Sequence, residues 1–245
     1  MDDKPYILDE TDDFAVVFKP PRVHCAPLRQ GEGDNLLGWY AAVFPPVMGL
    51  SGWKEGEGGL LHRLDFETQG LVLFAKNQRA LDQLMTLQEA GDFVKEYSAI
   101  CHRADVPVSF PPPPFSFPPH EQGFTIESFF RPFGPGRKQV RPVISEGKRS
   151  DEVAKDKGGY YRTEIASFTA VDDIFVFTAR LWRGFRHQIR CHLAWIGCPV
   201  LNDPLYGQAA DGDFLALRST ALVFPDPLSG KPREYRIAPL EKSVN

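Results

Sequence analysis

Residues 59–77 read GLLHRLDFETQGLVLFAKN, and the change of character inside this stretch decides the fold class. Its second half holds LVLFA at 71–75, a short apolar run of the length expected for a strand buried on both faces. The residues just before it, 64–70, are polar and read as a loop. A polar loop carried by a buried strand is where reactive side chains gather. Asp65 lies in that loop, flanked by His62, Arg63 and Thr68. Cations beside a carboxylate favour its ionised form, which suits a nucleophile or a base. An Asp that caps a turn and pairs with Arg63 is the structural reading of the same residues, and spacing alone favours it.

Working outward, residues 15–18 form a short apolar strand ended by Lys19-Pro20-Pro21, and 36–44 a short helix stopped by Pro45-Pro46. Asn77 is placed to cap a helix carrying Leu81, Leu84, Met85 and Leu87, with Gly91 as its stop. Residues 93–101 then switch to a strand, whose alternation puts Lys95 and Tyr97 on one face. Seven prolines between 107 and 119 exclude any regular element there and predict a stiff, extended surface loop. Residues 128–149 carry six cations (Arg131, Arg137, Lys138, Arg141, Lys148, Arg149) against one acid, Glu146, with a turn at Gly134-Pro135-Gly136. Strands are predicted at 163–171 and 174–182, joined at Asp172-Asp173, and at 215–224 and 234–237 across Ser229-Gly230. A helix over 185–196 presents Ile189, Leu193 and Ile196 on its apolar face, then stops at Gly197. With no fixed-period repeat and no linker, residues 1–245 read as a single sheet-rich domain.

The 245 residues are 42% hydrophobic and 24% charged, which excludes disorder and fibrous folds for the chain as a whole. The charge sum, 28 Lys+Arg against 32 Asp+Glu, is −4. That excludes a wholly basic nucleic-acid coat protein, so an anionic partner must be met by a local patch. The four cysteines, at 25, 101, 191 and 198, form no C-x-x-C pair. A disulfide scaffold and a zinc ribbon are therefore not expected, and reduced thiols in a cytoplasm fit. The acidic start MDDKPYILDE is unlike a signal peptide, and no apolar run approaches the ~20 residues of a membrane helix.

A second constellation is WRGFRHQIRCH, residues 182–192. No acid occurs from 174 to 202, so Arg180, Arg183, Arg186 and Arg190 lack local partners. Arg183, Arg186, His187 and Arg190 are three or four apart and are predicted to share one helical face, which suits an anion or a distant Asp. His187 and Cys191 could chelate, but no third ligand follows at a metal-binding spacing, so no metal site is expected.

Together these residues resemble the RluA-type pseudouridine synthases. His62-Arg63-Leu64-Asp65 with Thr68, Gly70 and LVLFAKN is similar to that family's signature, Lys95-Glu96-Tyr97 to its second motif, and His187-Gln188-Ile189-Arg190 through Asp203-Pro204-Leu205-Tyr206-Gly207 to its third. The opening AVVFKPPRVH and the closing PDPLSGKPREY resemble the family's two ends. The resemblance implies an α+β fold, with a mixed, mainly antiparallel sheet, flanking helices and a central RNA-binding cleft. It implies isomerisation of a uridine in structured RNA (ribosomal or transfer RNA) without cofactor or metal; DNA and membrane partners are not expected, and a monomer is expected. Asp65 is then the catalytic aspartate, Arg190 its ion-pair partner and Tyr97 the aromatic residue against the target base. Arg63 guards the space left by the flipped uridine, while His62, Thr68, Arg183, Arg186, His187 and Gln188 contact substrate.

The sequence departs from the pattern at Gln69, where Ser is usual, and at Phe185-Arg186, where Arg-Thr is usual. No S4 RNA-binding domain is expected ahead of the catalytic start, which leaves RNA grip to this domain, with its proline-rich and basic loop region of about 107–150, or to a partner. Arg137, Lys138 and Arg141 are expected to hold phosphates. Two rival readings are a catalytically silent RNA-binding or RNA-folding protein on the same fold and a glycoside hydrolase using Asp65 with Glu67. The arginines suit phosphate better than neutral sugar.

Overall fold

A computed structural model describes residues 3–28, 34–118, 123–144, 159–207 and 214–241. In chain order its elements are β1 (Tyr6–Glu10), β2 (Phe14–Lys19), α1 (Leu36–Val43), β3 (Gln69–Ala75), α2 (Gln78–Ala90), β4 (Val94–His102), β5 (Phe124–Phe133), β6 (Gln139–Val143), β7 (Tyr161–Val171), β8 (Ile174–Leu181), α3 (Gln188–Trp195), β9 (Leu217–Pro225) and β10 (Pro232–Arg236). The chain divides into two compact units, Met1–Lys95 with Arg218–Pro239, and Glu96–Leu217 with Leu240–Asn245. No helix among the described residues is long and apolar enough to cross a membrane.

The first unit is built on β3, all seven residues of which are buried. Strand order is β1-β2-β3-β9, with β10 on β9; β3–β9 is parallel and the other pairings are antiparallel. One face of β3 sends Leu71, Leu73 and Ala75 into a core with Leu81 and Leu84 of α2 and with Phe93, Leu222 and Phe224. Its other face meets α1, where Tyr40 stacks on Phe74 at 4.7 Å. Burial on both faces is why 71–75 is an unbroken apolar run rather than an alternating one. Asn77 caps α2 by accepting from the Ala80 N–H at 2.9 Å, and Gly91 ends it in the left-handed region, as the sequence predicts.

In the second unit the order is β4-β8-β7-β5-β6. The β5–β7 and β7–β8 ladders are antiparallel, and the β7–β8 hairpin turns at Asp172-Asp173. The proline tract has no regular structure between 107 and 118, but it is more than a surface loop. The ring of Phe117 packs 5.0–6.2 Å from Phe124, Phe168, Phe175 and Phe177. Trp195 donates its indole N–H to the carbonyls of Pro111 (2.9 Å) and Pro112 (3.2 Å). Proline lacks an N–H but keeps its carbonyl, so the tract can be anchored without forming an element.

The basic stretch is a hairpin rather than a loop, with Gly134-Pro135-Gly136 in the connection between β5 and β6. Glu146, Lys148 and Arg149 lie outside the described residues. The helix predicted over 185–196 starts later, at Gln188, because His187 adopts a left-handed backbone (φ 56). Arg183 and Arg186 therefore precede α3 and do not share a helical face with Arg190. Every residue of α3 is buried, polar ones included, where the sequence predicts one apolar face.

Candidate active site

Asp65 occupies a tight turn closed by the Thr68 N–H donating to the Asp65 carbonyl at 3.1 Å. The turn is short because the chain before it already runs along β3. Leu60 bridges Phe74, the Leu61 N–H donates to the Leu73 carbonyl at 3.0 Å, and the Leu73 N–H donates to His62 Nε2 at 3.3 Å. Accepting at Nε2 leaves the proton of a neutral ring on Nδ1. Burial, then the nearby Lys95, holds the His62 pKa well below the usual histidine range. His62 thus fixes the loop as a neutral acceptor.

Both neighbours of Asp65 are pinned by one segment, residues 19–25. Cys25 Sγ accepts from the Leu64 N–H at 3.2 Å and donates to its carbonyl at 3.4 Å. Burial pushes the thiol pKa up, so it stays protonated and can donate. Lys19 is fully buried, and its ammonium donates to the carbonyls of Pro20 (2.9 Å), Val23 (2.8 Å) and Phe66 (3.2 Å). Burial lowers the Lys19 pKa to about 8, opposed by the nearby carboxylates of Asp65 and Glu67. Lys19 and Cys25 were not singled out from the sequence. The available signal was a lysine closing an apolar strand before two prolines, whose buried partners are tertiary.

Asp65 itself is half-buried rather than fully buried. Arg63 is exposed and pairs with Glu57 at 3.0 Å. Thr68 is buried, and its hydroxyl has no partner among the described residues. Gln69 is also buried, and its Oε1 accepts from Arg218 Nη2 at 2.8 Å; these residues are ladder partners on β3 and β9. The departure at 69 is therefore satisfied within the first unit. At Gly70 a Cβ would lie 2.2 Å from the Ser219 carbonyl oxygen, at φ +122, so only glycine fits there.

In the second unit, Arg190 and Asp203 form a fully buried, bidentate pair, Nε to Oδ2 and Nη2 to Oδ1, both at 2.8 Å. Asp203 Oδ1 also accepts from the N–H groups of Leu205 (2.8 Å) and Tyr206 (3.1 Å). Arg190 thus has a distant Asp as partner, thirteen positions along the chain. The pair uses two of the five guanidinium N–H donors. The Tyr206 hydroxyl accepts from the Val140 N–H at 2.7 Å and lies 3.2 Å from His187 Nδ1. Gln188 bridges the Phe185 N–H, the Arg162 carbonyl and Thr163 Oγ1, at 2.9–3.0 Å. His192 lies between Thr163 Oγ1 (2.8 Å) and Ser128 Oγ (2.9 Å), and burial depresses its pKa to about 3. Each buried polar group of α3 has a partner, which is how an all-buried helix can carry them.

The other arginines diverge. Arg180 pairs with Glu96 at 2.9 Å, and Arg183 lies 5.3 Å over the Tyr161 ring. Arg186 Nη2 donates to the carbonyls of Arg137 (2.7 Å) and Gln139 (3.2 Å). Phe185 stacks on Phe130 at 5.0 Å. The departure at 185–186 therefore ties the β5–β6 hairpin to the start of α3. Tyr97 is buried in β4. Cys191 donates to the Val140 carbonyl, and no group of three or more His, Cys, Asp or Glu able to hold a metal occurs among the described residues.

A family model described as RNA pseudouridylate synthase matches residues 13–195. The uncharacterized RNA pseudouridine synthase YlyB of Bacillus subtilis (strain 168) is 27% identical over 239 residues, 96% of this chain and 69% of the relative. Ribosomal large subunit pseudouridine synthase D of Haemophilus ducreyi is 26% identical over 243 residues, 92% of this chain and 64% of the relative. The uncharacterized protein K07E8.7 of Caenorhabditis elegans is 32% identical over 213 residues, 84% of this chain but 40% of the relative. The chain thus spans between 40% and 69% of the length of these curated relatives. Among solved structures, human RNA pseudouridylate synthase domain containing 1 shares the fold, with a TM-score of 0.64 at 21% identity over 96% of this chain and 84% of that one. Because that family model matches residues 13–195, well over half of the sequence, the chain belongs to the RNA pseudouridylate synthase family.

Proposed function

We propose that the chain isomerises a uridine in a structured RNA, ribosomal or transfer, to pseudouridine, with Asp65 as the catalytic carboxylate. The N1–C1′ bond breaks, the uracil turns, C5 is joined to C1′ and the C5 proton is lost. Asp65 serves either by attacking C1′ or by removing a proton. The observation that carries this reading is the turn at Asp65, pinned at Leu64 by Cys25 and at Phe66 by Lys19. Holding a reacting group in place is a large part of catalysis, and such a clamp is more than a capping Asp requires.

A uridine within folded RNA must be flipped out, at a cost of a few kcal/mol. Tyr97 against the base and Arg63 in the vacated space offset that cost. Arg63, held to solvent by Glu57, is placed to leave that pair when RNA arrives. Thr68 offers its buried hydroxyl, and Arg183 its exposed charge, to substrate. His62, Arg186, His187 and Gln188 act by holding backbone and ring partners rather than by touching the reacting atoms. The ion-pair role that the resemblance implies for Arg190 is part of this proposal, and Asp203 orients its guanidinium. The four free, buried cysteines support a reducing, cytoplasmic setting, and the protein acts there as a monomer.

Tritium release from [5-³H]uridine-labelled RNA of cells lacking the gene tests the reading. Asp65→Asn keeps the shape and removes the charge. It should abolish release while RNA binding stays within a few-fold of wild type. Appreciable release by Asp65→Asn would falsify Asp65 as the catalytic carboxylate. A wild-type protein that binds RNA but releases no tritium establishes the catalytically silent alternative.

A further inference from the structure

We infer that the outward face of the β5–β6 hairpin is a docking surface for the ribose-phosphate backbone of RNA, with Arg131 and Arg141 taking one phosphate between them. This deepens the reading above and rests on it.

Strand β5 changes partner along its length. Residues 124–128 pair with β7, and 129–133 pair with β6. In the second half, one face packs inward, where Phe130 and Val140 join Phe185, Cys191, Ala194 and Tyr206. The opposite face carries Phe129, Arg131 and Phe133. Its antiparallel register sets Arg131 directly against Arg141. Side chains so opposed stand on one side of the ladder with Cβ atoms roughly 5 Å apart, and like charges there repel. Arg141 rests its guanidinium 5.5 Å over the Phe133 ring and donates to the Ser109 carbonyl at 3.3 Å. Neither arginine is paired with an acidic side chain among the described residues.

Charges on an edge strand also guard it against pairing with another chain. Edge protection does not explain the opposition, because offset charges guard an edge without repelling each other. An anion between the two guanidiniums converts the repulsion into attraction. The aromatic company selects nucleic acid over an acidic peptide. Phe129 meets Tyr160 at 4.9 Å, and Tyr160 is 49% exposed. Cations interleaved with accessible rings are the pattern that holds a single strand by backbone and base stacking. The hairpin end adds exposed Arg137 and Lys138, and Arg186 holds that end in place through two carbonyls. The surface is therefore formed before RNA arrives.

The test uses the full chain with Arg131→Gln, Arg141→Gln and the double variant, and a fluorescein-labelled RNA hairpin with a uridine loop as probe. Each phosphate contact contributes ~0.7–0.9 to the slope of log K against log salt. The double variant gives up the one phosphate that the two arginines share and should therefore flatten the slope by roughly 0.7–0.9. KM for labelled cellular RNA should rise while turnover at saturation is retained. The thermal midpoint should hold or rise, because the variants remove a repulsion; a purely structural pair would lower it. A folded double variant with an unchanged salt slope overturns the docking surface in favour of edge protection. Polyglutamate that displaces the RNA probe from the wild type, and fails to bind the double variant, overturns it in favour of an acidic peptide. Absence of tritium release with a full wild-type salt slope sinks the isomerase reading alone.

Discussion

A single backbone position separates what glycine does at two places in the first unit. At Gly91 the left-handed φ of +83 is the only demand, since a Cβ there would meet open space. At Gly70 the φ of +122 is joined by the Ser219 backbone, whose carbonyl oxygen, amide nitrogen and carbonyl carbon would lie 2.2, 2.6 and 2.8 Å from a Cβ. Gly91→Ala should therefore lower stability by about 1–2 kcal/mol in urea unfolding, the ordinary penalty of the left-handed region. Gly70→Ala must push β3 and β9 apart, five residues from Asp65, and should yield little folded protein. A Gly70→Ala chain as stable as Gly91→Ala would show that β9 can move away from the loop strand. At Gly91 the helix stop was legible in the sequence, whereas at Gly70 only the glycine itself was. The Ser219 backbone that distinguishes them arrives from 149 residues along the chain.

At the scale of the element, α3 shows how tertiary partners rewrite a sequence pattern. Read by spacing, its arginines make a charged helical face. In the structure the helix begins after Arg183 and Arg186, and it is buried on all sides with Arg190 locked to Asp203. Removing one member of a buried pair leaves the other charge uncompensated, at a typical cost of about 3–5 kcal/mol. Asp203→Ala should show a loss of that size in urea unfolding, deepened by the orphaned N–H groups of Leu205 and Tyr206. Arg190→Lys keeps the charge but not the fork that fits a carboxylate twice, so it should lose a smaller part. A loss below about 1 kcal/mol for Asp203→Ala would mean that the pair is solvated and not part of the core. The same burial complicates a kinetic reading of Arg190 variants, so turnover should be compared at temperatures where each variant is fully folded.

Across the whole molecule, each unit keeps a buried neutral histidine, His62 in the first and His192 in the second. Burial depresses both pKa values, His192 to about 3 and His62 well below the usual range. The unfolded chain takes up these protons below about pH 6.5, whereas the folded chain resists until much lower pH. Stability present above pH 6.5 is therefore lost as pH falls, on the order of 1 kcal/mol per pH unit for each ring. Urea midpoints between pH 6.5 and 5 should show this decline. His192→Gln should remove one ring's share of the slope, even if it lowers stability at every pH. A slope unchanged by that substitution would place the titration elsewhere.

The sequence by itself determined several of the elements and the loop ahead of β3. Unbroken apolarity at 71–75, the Asn77 cap, the Gly91 stop and the Asp172-Asp173 hairpin are local properties. Each depends on residues a few positions apart, so each could be read from the chain before it folds. Asp65 was legible for the same reason, as a charged residue in a short loop against such a strand. Pairings between distant residues were not legible: Lys19 with Phe66, Arg190 with Asp203, Arg186 with the hairpin end, Arg131 against Arg141. A buried charge must find its partner wherever packing brings one within hydrogen-bonding distance, and that choice is made by strand register and helix start, not by spacing. The proline tract makes the same point, since its prolines forbid an element while only the packed aromatic cluster decides where Phe117 rests.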